Sequence, residues 1–309
     1  MANLVDVART FAKYPGFVLM RSIARFEPVR SAAVQAQKMW REPLERYVAR
    51  LRTRRSEFFP ELDPVAIAAA VESDGFASNI ALPQWAVSEL VTFARNTECW
   101  AERNPILGFP RAQIDAARQK LGRRFLLAHH FNARRRSALI GRLTEDPVLR
   151  EIAARYLGTV PKLVGVSLWW SFPESSDAAS RNRAAQMFHF DLDDFRFIKF
   201  FFYLTDVDDT SGPHVIVRAT HRNKQPLPLK DALKARRFTD EEIEAAYGAG
   251  RIVSITGPAG TGFAEDTLCI HKGQAPTGAE RLVLQVQYAL NDFGNQHDDV
   301  DESQLSMIV

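Results

Sequence analysis

The sequence predicts an α+β chain in which a helical first part braces a strand-rich second part. Up to about residue 157, apolar residues recur three and four apart in VRSAAVQAQKMWREPLERYVARLRT, PVAIAAAVES, PQWAVSELVTFARN and EDPVLREIAARYLG. That is the period of an amphipathic helix. From Pro161 the spacing disappears, and β-branched and aromatic residues crowd into short runs: PKLVGVSLWWSF, RFIKFFFYLTDV, HVIVRA, RIVSIT and RLVLQVQYAL. Helices followed by many turn-separated strands point to a sandwich or barrel, and they exclude a doubly wound sheet, in which strands and helices would alternate.

Three regions follow: a mainly helical part over 1–157, a strand-rich core over 158–290, and a tail over 291–309. A helical insertion at about 229–247 interrupts the core, with DALKARRFTDEEIEAAY mostly charged away from Leu233, Ile243 and Ala246. The tail, NDFGNQHDDVDESQ, is acidic and poor in apolar residues, so it is expected to fray. With 309 residues, 46% hydrophobic and 25% charged, the chain can bury a sizeable core, and disorder is not its default.

Composition also narrows the partners. Lys and Arg outnumber Asp and Glu by only 40 to 37, which gives no basic excess to hold a nucleic acid. The basic runs RYVARLRTRR and NARRRS read as solvated helix faces, because no exposed aromatics interleave them for base stacking. Cys99 and Cys269 are the two cysteines, too few for a disulfide framework or a zinc ribbon, and they fit a reducing cytoplasm. Lys13 interrupts the apolar start, and no run reaches the ~18 apolar residues of a membrane span. A cytoplasmic protein acting on a small molecule is the expectation.

The chemistry is carried by QMFHFDLDDFRFIKFFFYLTDVDDTSGPHVIVRATHR. In it His189 and Asp191 stand two apart, a spacing that sends both side chains to one face of a strand. An imidazole and a carboxylate side by side are two of the three ligands of a facial triad, which leaves three metal positions open. His271, in EDTLCIHKG, can supply the third from a later strand. Arg281 follows ten residues on, and its guanidinium can grip a carboxylate through two parallel hydrogen bonds. On its strand Arg281, Val283, Gln285 and Gln287 share one face and Leu282, Leu284, Val286 and Tyr288 the other.

From Pro161 to Leu290 these features resemble the phytanoyl-CoA dioxygenase-like branch of the iron and 2-oxoglutarate oxygenases. The likeness rests on the His189 and Asp191 pair, on FFFYLTDVDDTSGP, on HVIVRATHR, and on the spacing from His271 to Arg281. The resemblance implies a double-stranded β-helix, the cupin-like jelly roll, flanked by N-terminal helices. It implies Fe(II), 2-oxoglutarate and O2 as reactants, with His189, Asp191 and His271 on the metal and Arg281 on the far carboxylate of 2-oxoglutarate. Oxygen would then decarboxylate the cosubstrate to succinate and leave an oxidant that takes a hydrogen from the substrate. Related halogenases carry a small residue in place of the aspartate, so Asp191 favours hydroxylation.

Other residues compete for these roles. Lys199 interrupts the apolar run FRFIKFFFYL, and a buried lysine must find an anion. It either binds a cosubstrate carboxylate beside Arg281 or pairs on the outer face of the barrel, because strand parity across the preceding turn is open. Asp193 and Asp194 are rival ligands that read as turn acids, and His214 and His221 are rival imidazoles, of which the resemblance makes His221 a structural or substrate-side residue near the strand end. His129, His130 and His297 are expected to be packed or solvated. Cys269 is expected on the side of His271 as a small packed residue. Trp169 and Trp170 face opposite sides of their strand. The polar stretch 173–186 suits either a lid, with Arg181 and Arg183 meeting an anionic substrate, or a surface loop.

Overall fold

Residues 11–174, 185–225, 227–228, 236–295 and 298–309 are described by the computed structural model. Two of its helices are delimited by the same local chemistry. Asp63 caps Pro64–Asp74 by accepting from the amides of Val65 and Ala66, and Asp146 caps Pro147–Leu157 through Val148 and Leu149. Proline follows each cap, where a missing N–H costs nothing, and each helix stops at a left-handed glycine, Gly75 or Gly158. Pro147–Leu157 is buried on nearly every side, because it lies between Pro64–Asp74 and the outer face of the large sheet.

The strands are β1 (Phe76–Ala77), β2 (Glu98–Ala101), β3 (Gly108–Pro110), β4 (Leu127–His129), β5 (Lys162–Ser171), β6 (Phe197–Tyr203), β7 (His214–Val217), β8 (Ile252–Ile255), β9 (Gly262–Glu265), β10 (His271–Gly273) and β11 (Arg281–Ala289). They form an antiparallel sheet in the order β1-β9-β6-β11-β5-β4-β2-β3 and a smaller one in the order β10-β7-β8. A bridge between His189 and His271 adds the segment around residue 189 to the smaller sheet, beside β10. From β5 onward the chain therefore passes repeatedly between the sheets, which makes the strand-rich core a double-stranded β-helix, or jelly roll.

Period-two alternation divides the buried side chains. On β6, Ile198, Phe200 and Phe202 pack into the core under the helices, whereas Phe201 and Tyr203 face the space between the sheets. On β11, Leu282, Leu284, Val286 and Tyr288 enter the helix-side core, while Arg281, Val283, Gln285 and Gln287 line the cavity.

Three sequence expectations need correction or a boundary. The mainly helical first part also carries short strands: β1 pairs with β9, and β2, β3 and β4 extend the large sheet beyond β5. Strands of two to four residues are too short to show a period of their own. The tail does not fray over 298–309. Asn132 binds the backbone of Asp298 and Val300, and Met307 bridges Gly108 at the sheet edge. Its acidity is answered by Arg103, which pairs with Asp298. Of the insertion at 229–247, Asp240–Tyr247 is a helix with a Thr239–Glu242 capping box, and 229–235 lies outside the described residues. No helix of the described residues is long and apolar enough to cross a membrane.

Candidate metal centre and its cavity

The space between the sheets is a cavity of about 800 Å³, large enough for a drug-sized ligand. Strand register sets out its floor in rows. Ser171 lies opposite Arg281, Trp169 opposite Val283, and Ser167 opposite Gln285. On the other side of β11, Tyr203 pairs with Val283, Phe201 with Gln285, and Lys199 with Gln287.

His189 and His271 face this floor from the smaller sheet. They exchange both backbone hydrogen bonds, at 2.9 and 2.7 Å, which holds their Cα atoms side by side. Each ring places Nδ1 2.9 Å from the carbonyl two residues earlier, Met187 for His189 and Cys269 for His271. A carbonyl only accepts, so Nδ1 carries the proton and each Nε2 keeps a lone pair aimed inward. Asp191 completes the group, with carboxylate oxygens 3.8 Å from His189 Nε2 and 3.7 Å from His271 Nε2. The three ligand atoms lie within 4.8 Å of one another.

Electrostatics keeps the three in ligand form. Burial lowers the pKa of both histidines, His189 most, so the rings stay neutral. Burial pushes Asp191 up, but the Lys199 ammonium outweighs it and holds the carboxyl well below its usual range. Two neutral imidazoles and one carboxylate, converging with one side open, fit a divalent transition metal with free coordination positions.

Lys199 adopts neither arrangement in simple form. Its Nζ lies 2.7 Å from Asp191 Oδ2 and 2.9 Å from Asp193 Oδ2, so the outer-face pairing is overturned: β6 parity turns Lys199 into the cavity with Phe201 and Tyr203. Arg281 is also buried. Its Nη2 lies 3.4 Å from Ser171 Oγ and its Nε has no partner. Among the described residues no carboxylate forms an ion pair with Arg281. A buried, unpaired guanidinium calls for an anion from outside the chain.

The rival ligands resolve geometrically. Asp193 takes Lys199 and the Gln287 amide, at 3.1 Å. Asp194, which burial pushes up to about 6, accepts from Asn291 and Phe195. His221 reaches the Glu72 carbonyl at 3.1 Å. Cys269 sits in the turn before β10 rather than on a regular strand, so its thiol faces His221, 3.6 Å away, instead of sharing the side of His271.

Sequence reasoning missed Glu265. It is fully buried on β9, opposite Lys199, with Oε2 2.6 Å from His214 Nε2, while His214 stacks on His271 at 5.4 Å. Burial pushes Glu265 up to about 8, so at neutral pH it is largely a neutral acid behind His214 and His271. Its isolated place in GFAED gave no signal. His129 was expected to be simply packed or solvated, yet it lines the cavity and stacks on Trp169 at 6.0 Å. Trp170, on the other face, is core, as is His130. Of the stretch 173–186, residues 175–184, with Arg181 and Arg183, lie outside the described residues, as does His297.

No family model matches the chain, and a search of curated proteins finds no match. Solved structures do resemble it. The epimerase SnoN, in complex with Fe3+, α-ketoglutarate and nogalamycin RO, is 17% identical over 73% of this chain and 84% of its own, with a TM-score of 0.49. EctD from S. alaskensis is 16% identical over 82% and 91%, with a TM-score of 0.47. HygX from Streptomyces hygroscopicus, with nickel and 2-oxoglutarate bound, is 15% identical over 72% and 86%, with a TM-score of 0.43. At these scores the site is read from this chain's own residues.

Proposed function

We propose that this chain is an Fe(II)- and 2-oxoglutarate-dependent oxygenase of the phytanoyl-CoA dioxygenase-like kind, which hydroxylates or otherwise oxidises a carbon of a small organic molecule, with succinate and CO2 as coproducts. One observation carries the reading: a convergent His189, Asp191 and His271 set shares its cavity with the buried, unpaired Arg281. When bound, the iron supplies the reaction of O2 with 2-oxoglutarate that yields the oxidant.

The chain's own residues then have separable tasks. His189 and His271 hold the metal through Nε2, with their ring orientation fixed by the Met187 and Cys269 carbonyls. Asp191 supplies the third ligand, and Lys199, holding one of its oxygens, limits how that carboxylate can turn. Arg281 receives the far carboxylate of 2-oxoglutarate, with the Ser171 hydroxyl beside it. Phe201, Val283 and Phe263 make that part of the cavity apolar and exclude water from it. A cupin-like metal protein without 2-oxoglutarate would leave Arg281 with no anion to bind, which disfavours that alternative.

The test is direct. Purified protein given iron(II) and 2-oxoglutarate without oxygen is expected to develop a visible charge-transfer band, and on admitting oxygen to release succinate slowly even without substrate. Neither band nor succinate would sink the proposal.

A further inference from the structure

The outer half of the cavity carries a second polar centre that the metal chemistry does not use. Arg103 and the buried Asp298 form a two-point ion pair there, Nε to Oδ1 at 2.8 Å and Nη2 to Oδ2 at 3.1 Å. The Asp298 side chain is 1% exposed and that of Arg103 is 39% exposed. A ligand in the cavity therefore meets guanidinium N–H groups whose charge is balanced by the buried carboxylate of Asp298. Such a pair donates hydrogen bonds without a net charge.

Left-handed backbone frames this wall on both sides. Glu102 and Arg103 both have φ of +55°, in a turn closed by the Asn104 amide on the Ala101 carbonyl. Asn132, at φ +58°, clamps residues 298 and 300 from the other side. Left-handed conformations in non-glycine residues persist only where the surroundings impose them. The floor beside the wall is polar and flat: Trp169 backed by His129, then Ser167, 3.4 Å from Arg103, and Gln285 opposite it. The Gln285 side chain faces the cavity, and His129 Nδ1 has no protein partner among the described residues.

We propose that this outer chamber is the substrate subsite of the oxygenase, a statement that rests on the function proposed above, and that it selects a neutral, cyclic, hydroxyl-bearing molecule of the polyol or glycoside class. The ring face lies on Trp169, and the hydroxyl oxygens accept from Arg103 and exchange hydrogen bonds with Gln285 and Ser167. An anionic substrate gains little from Arg103, because Asp298 already neutralises it.

The experiment uses protein loaded with iron(II) and 2-oxoglutarate under nitrogen, probed by ligand-observed NMR with neutral methyl glycosides and myo-inositol, against the matched uronates. Neutral rings are expected to bind more tightly than uronates, and Arg103→Met to weaken them about tenfold, the effect of one or two lost hydrogen bonds. Gln285→Leu, at a side chain that faces the cavity, should weaken the same probes and covers the case in which Arg103→Met fails to fold. Uronates bound more tightly than neutral rings, no neutral ring bound at all, or binding indifferent to Gln285→Leu would overturn the subsite. Binding of 2-oxoglutarate to the unmutated protein is measured in the same samples. Its absence sinks the oxygenase reading, whereas a uronate preference with 2-oxoglutarate bound sinks the subsite alone.

Discussion

The inner and outer ends of the cavity are built in opposite ways. At the inner end His189, His271 and Arg281 stand on paired strands, and backbone carbonyls fix both imidazole rings. At the outer end Arg103, Asn132 and Asp298 come from two left-handed turns and the tail, and hold one another through long-range contacts. Strand register sets side-chain positions closely, which suits ligands that must meet one ion. Turns and tails vary freely, which suits a wall that chooses a substrate. Damage to the inner end should abolish chemistry, and damage to the outer end should only redirect or loosen it.

The sharpest way to test that division is Asp191→Ala. Loss of the only carboxylate in the group should remove bound iron and reduce succinate formation by about a thousandfold or more, with the melting temperature nearly unchanged because Lys199 keeps Asp193. Metal analysis and a succinate assay decide it, and retained turnover would transfer the ligand role to Asp193. Next in size is Arg281→Leu. It removes a charge-assisted grip on the cosubstrate, worth about 2 kcal/mol, so the KM for 2-oxoglutarate should rise about thirtyfold while iron affinity stays normal. A matching loss of iron would show that the two roles are not separate.

Lys199→Met acts on the inner end through Asp191. The Asp191 carboxylate loses the ammonium at 2.7 Å, and on the proposed ligand role removal of such an outer partner should weaken iron binding about tenfold. An increase only in the KM for 2-oxoglutarate would instead return Lys199 to the cosubstrate. Titration of the apoprotein with iron(II) separates the outcomes.

The same contrast explains what could be read from the chain. The His189 and Asp191 spacing, the alternation along RLVLQVQYAL and the order of helices before strands are local patterns, and each has a direct structural counterpart in the observed fold. Lys199 stayed ambiguous because its face depends on parity across the turn at Asp193 to Arg196. Glu265, His129 and Asp298 were illegible as site residues for a further reason. Their positions depend on β9 lying beside β6, β4 beside β5, and the tail against Asn132, and no short window of sequence encodes a neighbour chosen by tertiary packing. The acidic tail looked mobile because its composition was weighed without Arg103, its partner 195 residues away.

The smallest expected effect on chemistry comes from Asn132→Ala, which acts on the outer end alone. Asn132 is fully buried, and its side chain donates to the Val300 carbonyl and accepts from the Val300 amide, both at 2.9 Å. Alanine removes both bonds, together with the one that Asn132 Oδ1 accepts from Arg135, and tolerates φ of +58° less well than asparagine, so about 2 kcal/mol of stability should be lost. Hydrogen exchange at residues 298–300 should accelerate, because the clamp is what seats them. Iron and 2-oxoglutarate binding should persist, since no strand of the inner end is touched. If iron binding fell in step with the faster exchange, the two ends would be one cooperative unit, and the division drawn between them would not hold.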